Sequence, residues 1–184
     1  DRGYKMANEA LQIHGGSGFT KEWGLEQFVR DCRITLIYEG TNGIQALDLV
    51  GRKLAANGGR AVFSFFAEMD DFIGTHEGNS ELEPFVEGLK SAKARLQDGT
   101  TWLMQNGMSD FNNAGAASND YLQLFGLTAL TYMWALMAKV ALEKQGDDPF
   151  YDDKLTTGKY YVSRVLPEAA AHLAKLKTGA DLMM

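Results

Sequence analysis

Cysteine, proline and histidine are nearly missing from this chain, which has 1, 3 and 3 of them in 184 residues. The single thiol, Cys32, excludes an internal disulfide and suits a reducing compartment, so a cytoplasmic location is expected. So few prolines leave long helices unbroken. His14, His76 and His172 form no pair at metal-site spacing, and no metal centre is expected. Basic residues are outnumbered 18 to 24, and the formal net charge is -6. That excludes a dominant nucleic-acid footprint, which needs clustered cations. No stretch alternates in the manner of a half-buried strand, and no repeat or low-complexity run is present.

Apolar residues are plentiful, at 45%, enough for a sizeable core. The 20 glycines fall largely at apparent turns: Gly15-Gly16, Gly58-Gly59, Gly74 and Gly146. The chain starts at Asp1 without a methionine or a signal-peptide pattern. Its first dozen residues read as a helix already under way, so a longer parent polypeptide is expected.

Helical periodicity runs through the chain. Met6, Ala7, Ala10, Leu11 and Ile13 mark a helix from about Tyr4 to Ile13, stopped by Gly15 and Gly16. Leu25 to Tyr38 is read as the second helix, with Arg30, Asp31 and Arg33 as its solvated side. Glu39-Gly40-Thr41 breaks it. Thr41 or Asn42 is expected to cap a third helix ending near Leu54. After Gly58-Gly59 come four patterns: Arg60 to Ile73, Ser80 to about Asn106, Ser109 to Lys144, and about Leu155 to Lys177. Ser80-Glu81-Leu82-Glu83 resembles a capping box. The expected fold is all-α, an antiparallel up-down bundle. The expected domains are residues 1–57 and 58–184. Tyr121 to Ala138 carries no charge, a length that suits a membrane span. Gln123, Gly126, Thr128 and Thr131 interrupt it, so it is read as the bundle's central helix and no membrane span is expected. Its Phe125, Tyr132, Met133, Trp134 and Met137 are read as core.

Glu39 is the candidate of most interest. It follows the apolar run Ile34, Leu36, Ile37 and Tyr38 and precedes a glycine. A carboxylate so placed can serve as a base if burial raises its pKa. From chemistry alone the default is a solvated acid. His14 is read as a packed or hydrogen-bonding histidine.

Three pieces change that default: Gln12-Ile13-His14-Gly15-Gly16-Ser17-Gly18-Phe19, then Arg30-Asp31, then Ile37-Tyr38-Glu39-Gly40-Thr41. In that order and spacing they resemble the C-terminal part of the acyl-CoA dehydrogenase family. The rest resembles the extra helical domain of the family's longer members. The resemblance implies α,β-dehydrogenation of an acyl-CoA thioester with FAD as cofactor. It implies Glu39 as the base, with its backbone N–H helping to bind the thioester carbonyl. Gly40 would lie near the thioester and Thr41 near the flavin. Gln12, Gly15 and Gly16 would contact FAD bound to a neighbouring subunit. Gly43 stands where many relatives have glutamine or glutamate, so only a backbone contact to the flavin can survive there; Gln45 matches a family glutamine. An electron-transferring flavoprotein as partner, a homo-oligomer (dimer or tetramer), a short or medium acyl group and a bacterial origin are implied too. The isolated chain is expected to be inactive and flavin-free. The alternative is a non-catalytic helical module for oligomerisation or for covering an active site, because residues 60–184 hold no acid–base constellation.

Overall fold

The computed structural model describes residues 1–107 and 109–183. All regular structure among the described residues is helical. The chain divides into two compact units, Asp1–Gln45 and Ala46–Met184. The break at Gly58-Gly59 therefore lies within the second unit. The expected domain 58–184 ends on Met184, outside the described residues.

The first unit holds α1 (Arg2–Ile13), a single turn α2 (Gly15–Gly18) and α3 (Leu25–Ile34). α1 packs on α3, with the Arg33 guanidinium 5.7 Å over the Tyr4 ring. α3 ends four residues before the expected Tyr38. Thr35 Oγ1 donates back to the Cys32 carbonyl at 2.7 Å, and β-branched Ile34, Thr35 and Ile37 favour the exit. Only Gly18 is buried among residues 1–45.

α4 (Asn42–Asp48) bridges the division in sequence. Its first helical bond runs from Gln45 N to the Thr41 carbonyl. Thr41 is thus the N-cap, while the Asn42 amide donates to Asp1 Oδ2 at 2.6 Å. The helix continues as a wider π turn, Leu49–Lys53.

The second unit is a bundle of α5 (Arg60–His76), α6 (Glu83–Trp102), α7 (Phe111–Glu143), α8 (Pro149–Tyr160) and α9 (Glu168–Leu176). α7 is the axis, packed on α6, α8 and α9. Tyr121, Leu124, Thr128, Thr131 and Ala135 form its fully buried face, against Phe85, Leu89 and Leu96 of α6 and Leu176 of α9. The buried hydroxyls are all engaged: Thr128 donates to Leu124 O, Thr131 to Leu127 O and Thr100 to Leu96 O. Thr100 spends its proton there, so the Tyr121 phenol donates to Thr100 Oγ1 at 2.8 Å. By length and composition α7 could cross a membrane, with mean hydropathy 1.4 in its apolar window. Here it is the bundle's centre. Phe125, Tyr132 and Trp134 pack on the core, but Met133 and Met137 are exposed, contrary to their reading as core.

Two expected boundaries move. No side chain of Ser80-Glu81-Leu82-Glu83 caps α6. Asn79 Oδ1 accepts from the Glu81 and Leu82 amides instead. The last expected helix begins six residues early, because Asp148 accepts from Phe150 N at 2.8 Å and Pro149 opens α8. It also splits in two. Pro167 has no N–H to continue the ladder, and Tyr161–Val165 widens into a π turn before it.

An apolar cavity of about 510 Å³ lies within the second unit, lined by Val50, Leu54, Leu103, Met104, Phe111 and Ala114 among others.

Candidate functional site

Seven residues singled out in the sequence are Gln12, Gly15, Gly16, Glu39, Gly40, Thr41 and Gly43. All are exposed, on the first unit. They form two clusters.

The first lies at the C-terminal end of α1. Gly15 has φ +58°, the left-handed conformation in which glycine ends a helix without a Cβ penalty. A Cβ on Gly15 or Gly16 would meet nothing within 4 Å. The bare backbone is open to a flat ligand. Gly18 stood out in the sequence only as part of the motif, yet its constraint is the tightest here. A Cβ there would come 2.7 Å from the Leu11 carbonyl oxygen and 2.8 Å from His14 Cβ. His14 Nδ1 lies 3.1 Å from Ala10 O, and its ring meets Trp23 at 5.6 Å.

The second cluster is the turn into α4. Glu39 has φ +50° and Gly40 φ +87°. Left-handed backbone costs a non-glycine residue on the order of 1–2 kcal/mol, and such outliers gather at functional sites. No sequence signal announced the strain at Glu39. The Glu39 carboxylate is exposed and, among the described residues, makes no hydrogen bond or ion pair. Ile37 and Tyr38 beside it are half exposed and give it an apolar flank. The Gln45 amide, the free end of an exposed side chain, sits against the position a Gly40 Cβ would take; it is the left-handed φ that favours glycine there. A Cβ on Gly43 meets nothing within 4 Å.

The structure does not bring the two clusters together. Asn42 is bonded to Asp1, at the start of α1. Gly15 lies past that helix's other end, about 18 Å away for twelve residues at 1.5 Å each. A single flat ligand edge cannot touch both. Each cluster is an exposed glycine-containing turn at a helix end.

Two family models match. Residues 2–54 match one described as acyl-CoA dehydrogenase, C-terminal domain, and residues 65–184 one described as acetyl-CoA dehydrogenase C-terminal like. The chain is 35% identical over 188 residues to 3-methylmercaptopropionyl-CoA dehydrogenase of Ruegeria pomeroyi, covering 100% of this chain and 32% of that protein. It is 31% identical over 184 residues to a butyryl-CoA dehydrogenase of Syntrophomonas wolfei, covering 91% of this chain and 28% of that protein. A caffeyl-CoA reductase–Etf complex subunit of Acetobacterium woodii is 48% identical over 50 residues, 27% of this chain and 13% of that protein. The chain thus spans a third or less of these curated relatives.

Proposed function

The chain belongs to the acyl-CoA dehydrogenase family, and from that premise we propose that it is part of a longer FAD-dependent enzyme that introduces a double bond between the α and β carbons of an acyl-CoA thioester. Glu39 is its base. The observation that carries this is the left-handed pair Glu39–Gly40, an exposed carboxylate on a strained turn inside the stretch the first family model covers.

The Glu39 carboxylate accepts the α-proton. That carbon is weakly acidic, so the thioester carbonyl has to be polarised and water kept out. The Glu39 N–H is a donor of the right kind for the carbonyl, and Gly40 lets the thioester come close. Ile37 and Tyr38 give the carboxylate an apolar flank; the rest of the enclosure comes from beyond these residues. FAD, when bound, supplies the acceptor for the hydride leaving the β-carbon. Thr41 and the Gly43 backbone would face that flavin. Gln12, Gly15 and Gly16 would face the one bound to a neighbouring copy, which their distance from Glu39 supports and which requires a homo-oligomer, a dimer or tetramer. An electron-transferring flavoprotein is the proposed electron acceptor, in keeping with the Etf complex named for one relative. The acyl group is short or medium, 3-methylmercaptopropionyl among the candidates, after the name of the relative matched over the whole chain. A reducing, cytoplasmic setting suits the free thiol of Cys32. The gap between the two family models, after residue 54 and before 65, supports Gly58-Gly59 as the domain boundary.

The test is an anaerobic acyl-CoA titration of the parent enzyme with Glu39→Gln. The variant is expected to keep its FAD and bind ligand while flavin bleaching slows by about 100-fold or more. Bleaching at the wild-type rate would put the base elsewhere. The purified 184-residue chain, expected to show neither flavin absorbance nor activity, is the control.

A second reading assigns residues 60–184 a non-catalytic role in oligomerisation or in covering an active site, and the exposed apolar Leu130, Met133, Met137 and Val140 of α7 favour it.

A further inference from the structure

We propose that Asn57 is a site of spontaneous backbone modification, where the Gly58 nitrogen displaces the side-chain amide and the residue becomes aspartate or isoaspartate. The inference is independent of the flavin chemistry.

Asparagine followed by glycine is the pairing in which this ring closure meets least obstruction, because glycine has no Cβ. The sequence holds three such pairs, Asn42-Gly43, Asn57-Gly58 and Asn106-Gly107. The fold treats them differently. Asn42 opens α4, and its amide donates to Asp1 Oδ2 at 2.6 Å. Asn106 lies in the π turn Leu103–Gly107, and its amide donates to the Trp102 carbonyl at 2.9 Å. Both asparagines are half-buried. In each, helical backbone fixes ψ and a hydrogen bond holds the amide that would have to leave.

Asn57 has neither restraint. It is exposed, as is Gly58. Its side chain makes no hydrogen bond among the described residues. Its backbone is left-handed, with φ +52° and ψ +40°, and Gly58 and Gly59 follow with φ +68° and +79°. Three consecutive residues therefore stand outside helical geometry between Ala56 and α5. A Cβ on Gly58 would meet nothing within 4 Å, so no neighbouring side chain crowds this glycine. One bond opposes the attack: Gly58 N–H donates to the Ala55 carbonyl at 3.2 Å. It closes a single exposed turn, and such turns open at little cost.

Once the turn opens, Gly58 N gives up its proton to hydroxide and bonds to Asn57 Cγ. The Cγ–Nδ2 bond breaks, and ammonia leaves with a proton from water. Water then cleaves the five-membered imide. Cleavage at Cγ leaves aspartate. Cleavage at the main-chain carbonyl of residue 57 leaves isoaspartate, with the backbone running through Cγ. No oxidant or reductant is consumed. Either product adds one negative charge, and isoaspartate also adds one methylene to the backbone. Both changes fall between the stretches that the two family models match, and beside Gly58 and Gly59, which line the apolar cavity.

The test is peptide mapping of the full 184-residue chain aged at mildly alkaline pH. Trypsin cuts after Lys53 and Arg60, so Asn57 is the only asparagine of its peptide. That peptide is expected to acquire the amide-to-acid mass change on the order of tenfold faster than those carrying Asn42 and Asn106, with isoaspartate as the larger product. In urea the three rates are expected to converge, since the fold alone separates them. Asn57→Gln, whose ring would have six members, is expected to remove the more acidic species seen on isoelectric focusing. Conversion first at Asn42 or Asn106 in the folded chain overturns the proposal. So does an Asn57 peptide that stays intact while the urea-unfolded chain converts, and so does an acidic species that persists in Asn57→Gln. None of these outcomes bears on Glu39.

Discussion

Tyr121 ties a buried hydrogen bond to a measurable pH dependence. Burial pushes its phenol up to about 12 from an ordinary 10, with the Thr100 hydrogen bond pulling the other way. The unfolded chain ionises this group near 10. Between about 10 and 12 the folded state therefore binds more protons than the unfolded one, and stability falls as pH rises. Below 10 the contribution is complete. A displacement of this size corresponds to roughly 3 kcal/mol. Tyr132 is raised too, first by burial and then by Glu68 and Asp71, and adds to the same alkaline loss. Urea midpoints at pH 9 and at pH 11.5 should differ clearly in the wild type, and much less in Tyr121→Phe. At the candidate site, residue identity was legible while backbone was not. The glycines and Glu39 stood in a readable motif. The left-handed strain at Glu39 and the closeness of Gly18 to Leu11 depend on how the turns close, which no single residue type announces.

Helices close ranks where a glycine has no alternative. A Cβ on Gly158 of α8 would meet Phe85 Cε1 at 2.7 Å and Trp134 Cε3 at 3.1 Å, and Phe85 is fully buried. Gly158→Ala should lower the urea-derived stability by about 1–3 kcal/mol through overpacking. Gly74→Ala, in the open on α5, should instead raise it by up to about 1 kcal/mol. Equal responses at the two sites would remove the packing argument. Periodicity exposed the long elements α5, α6 and α7 because their apolar stripes repeat over many turns. It failed at short range. Asp148 and Asn79 cap helices through geometry set by neighbouring loops, and the apolar pattern runs on through Pro167, hiding the break between α8 and α9. On α7, methionine and aromatic residues carry the same apolar signal, so the sequence did not separate half-buried Trp134 and Tyr132, packed on the core, from exposed Met133 and Met137.

The two units differ in what holds them. Ala46–Met184 buries a continuous core from Leu54 to Leu176, pinned by ion pairs such as Lys177–Asp98 at 2.6 Å and Lys93–Asp70 at 2.5 Å. Asp1–Gln45 leaves Ile13, Phe19, Trp23, Phe28 and Ile34 exposed. Hydrogen exchange of the 184-residue chain should find strong protection on α6 and α7 and little on α1 and α3. Equal protection in both would mean that the first unit draws stability from a source other than its own burial.

The π turns at Leu49–Lys53, Leu103–Gly107 and Tyr161–Val165 have a genetic consequence. In each the ladder steps back five residues, as from Leu166 N to Tyr161 O at 2.9 Å, so each holds one residue beyond α spacing. Each stands at the C-terminal end of its helix, so losing a single codon there returns the turn to α geometry and leaves the preceding turns in place. The same loss in mid-α7 would swing every later residue of that helix by about 100° and carry Thr131 and Ala135 out of the core. Loss of one residue should therefore be tolerated at these three turns far better than inside α7.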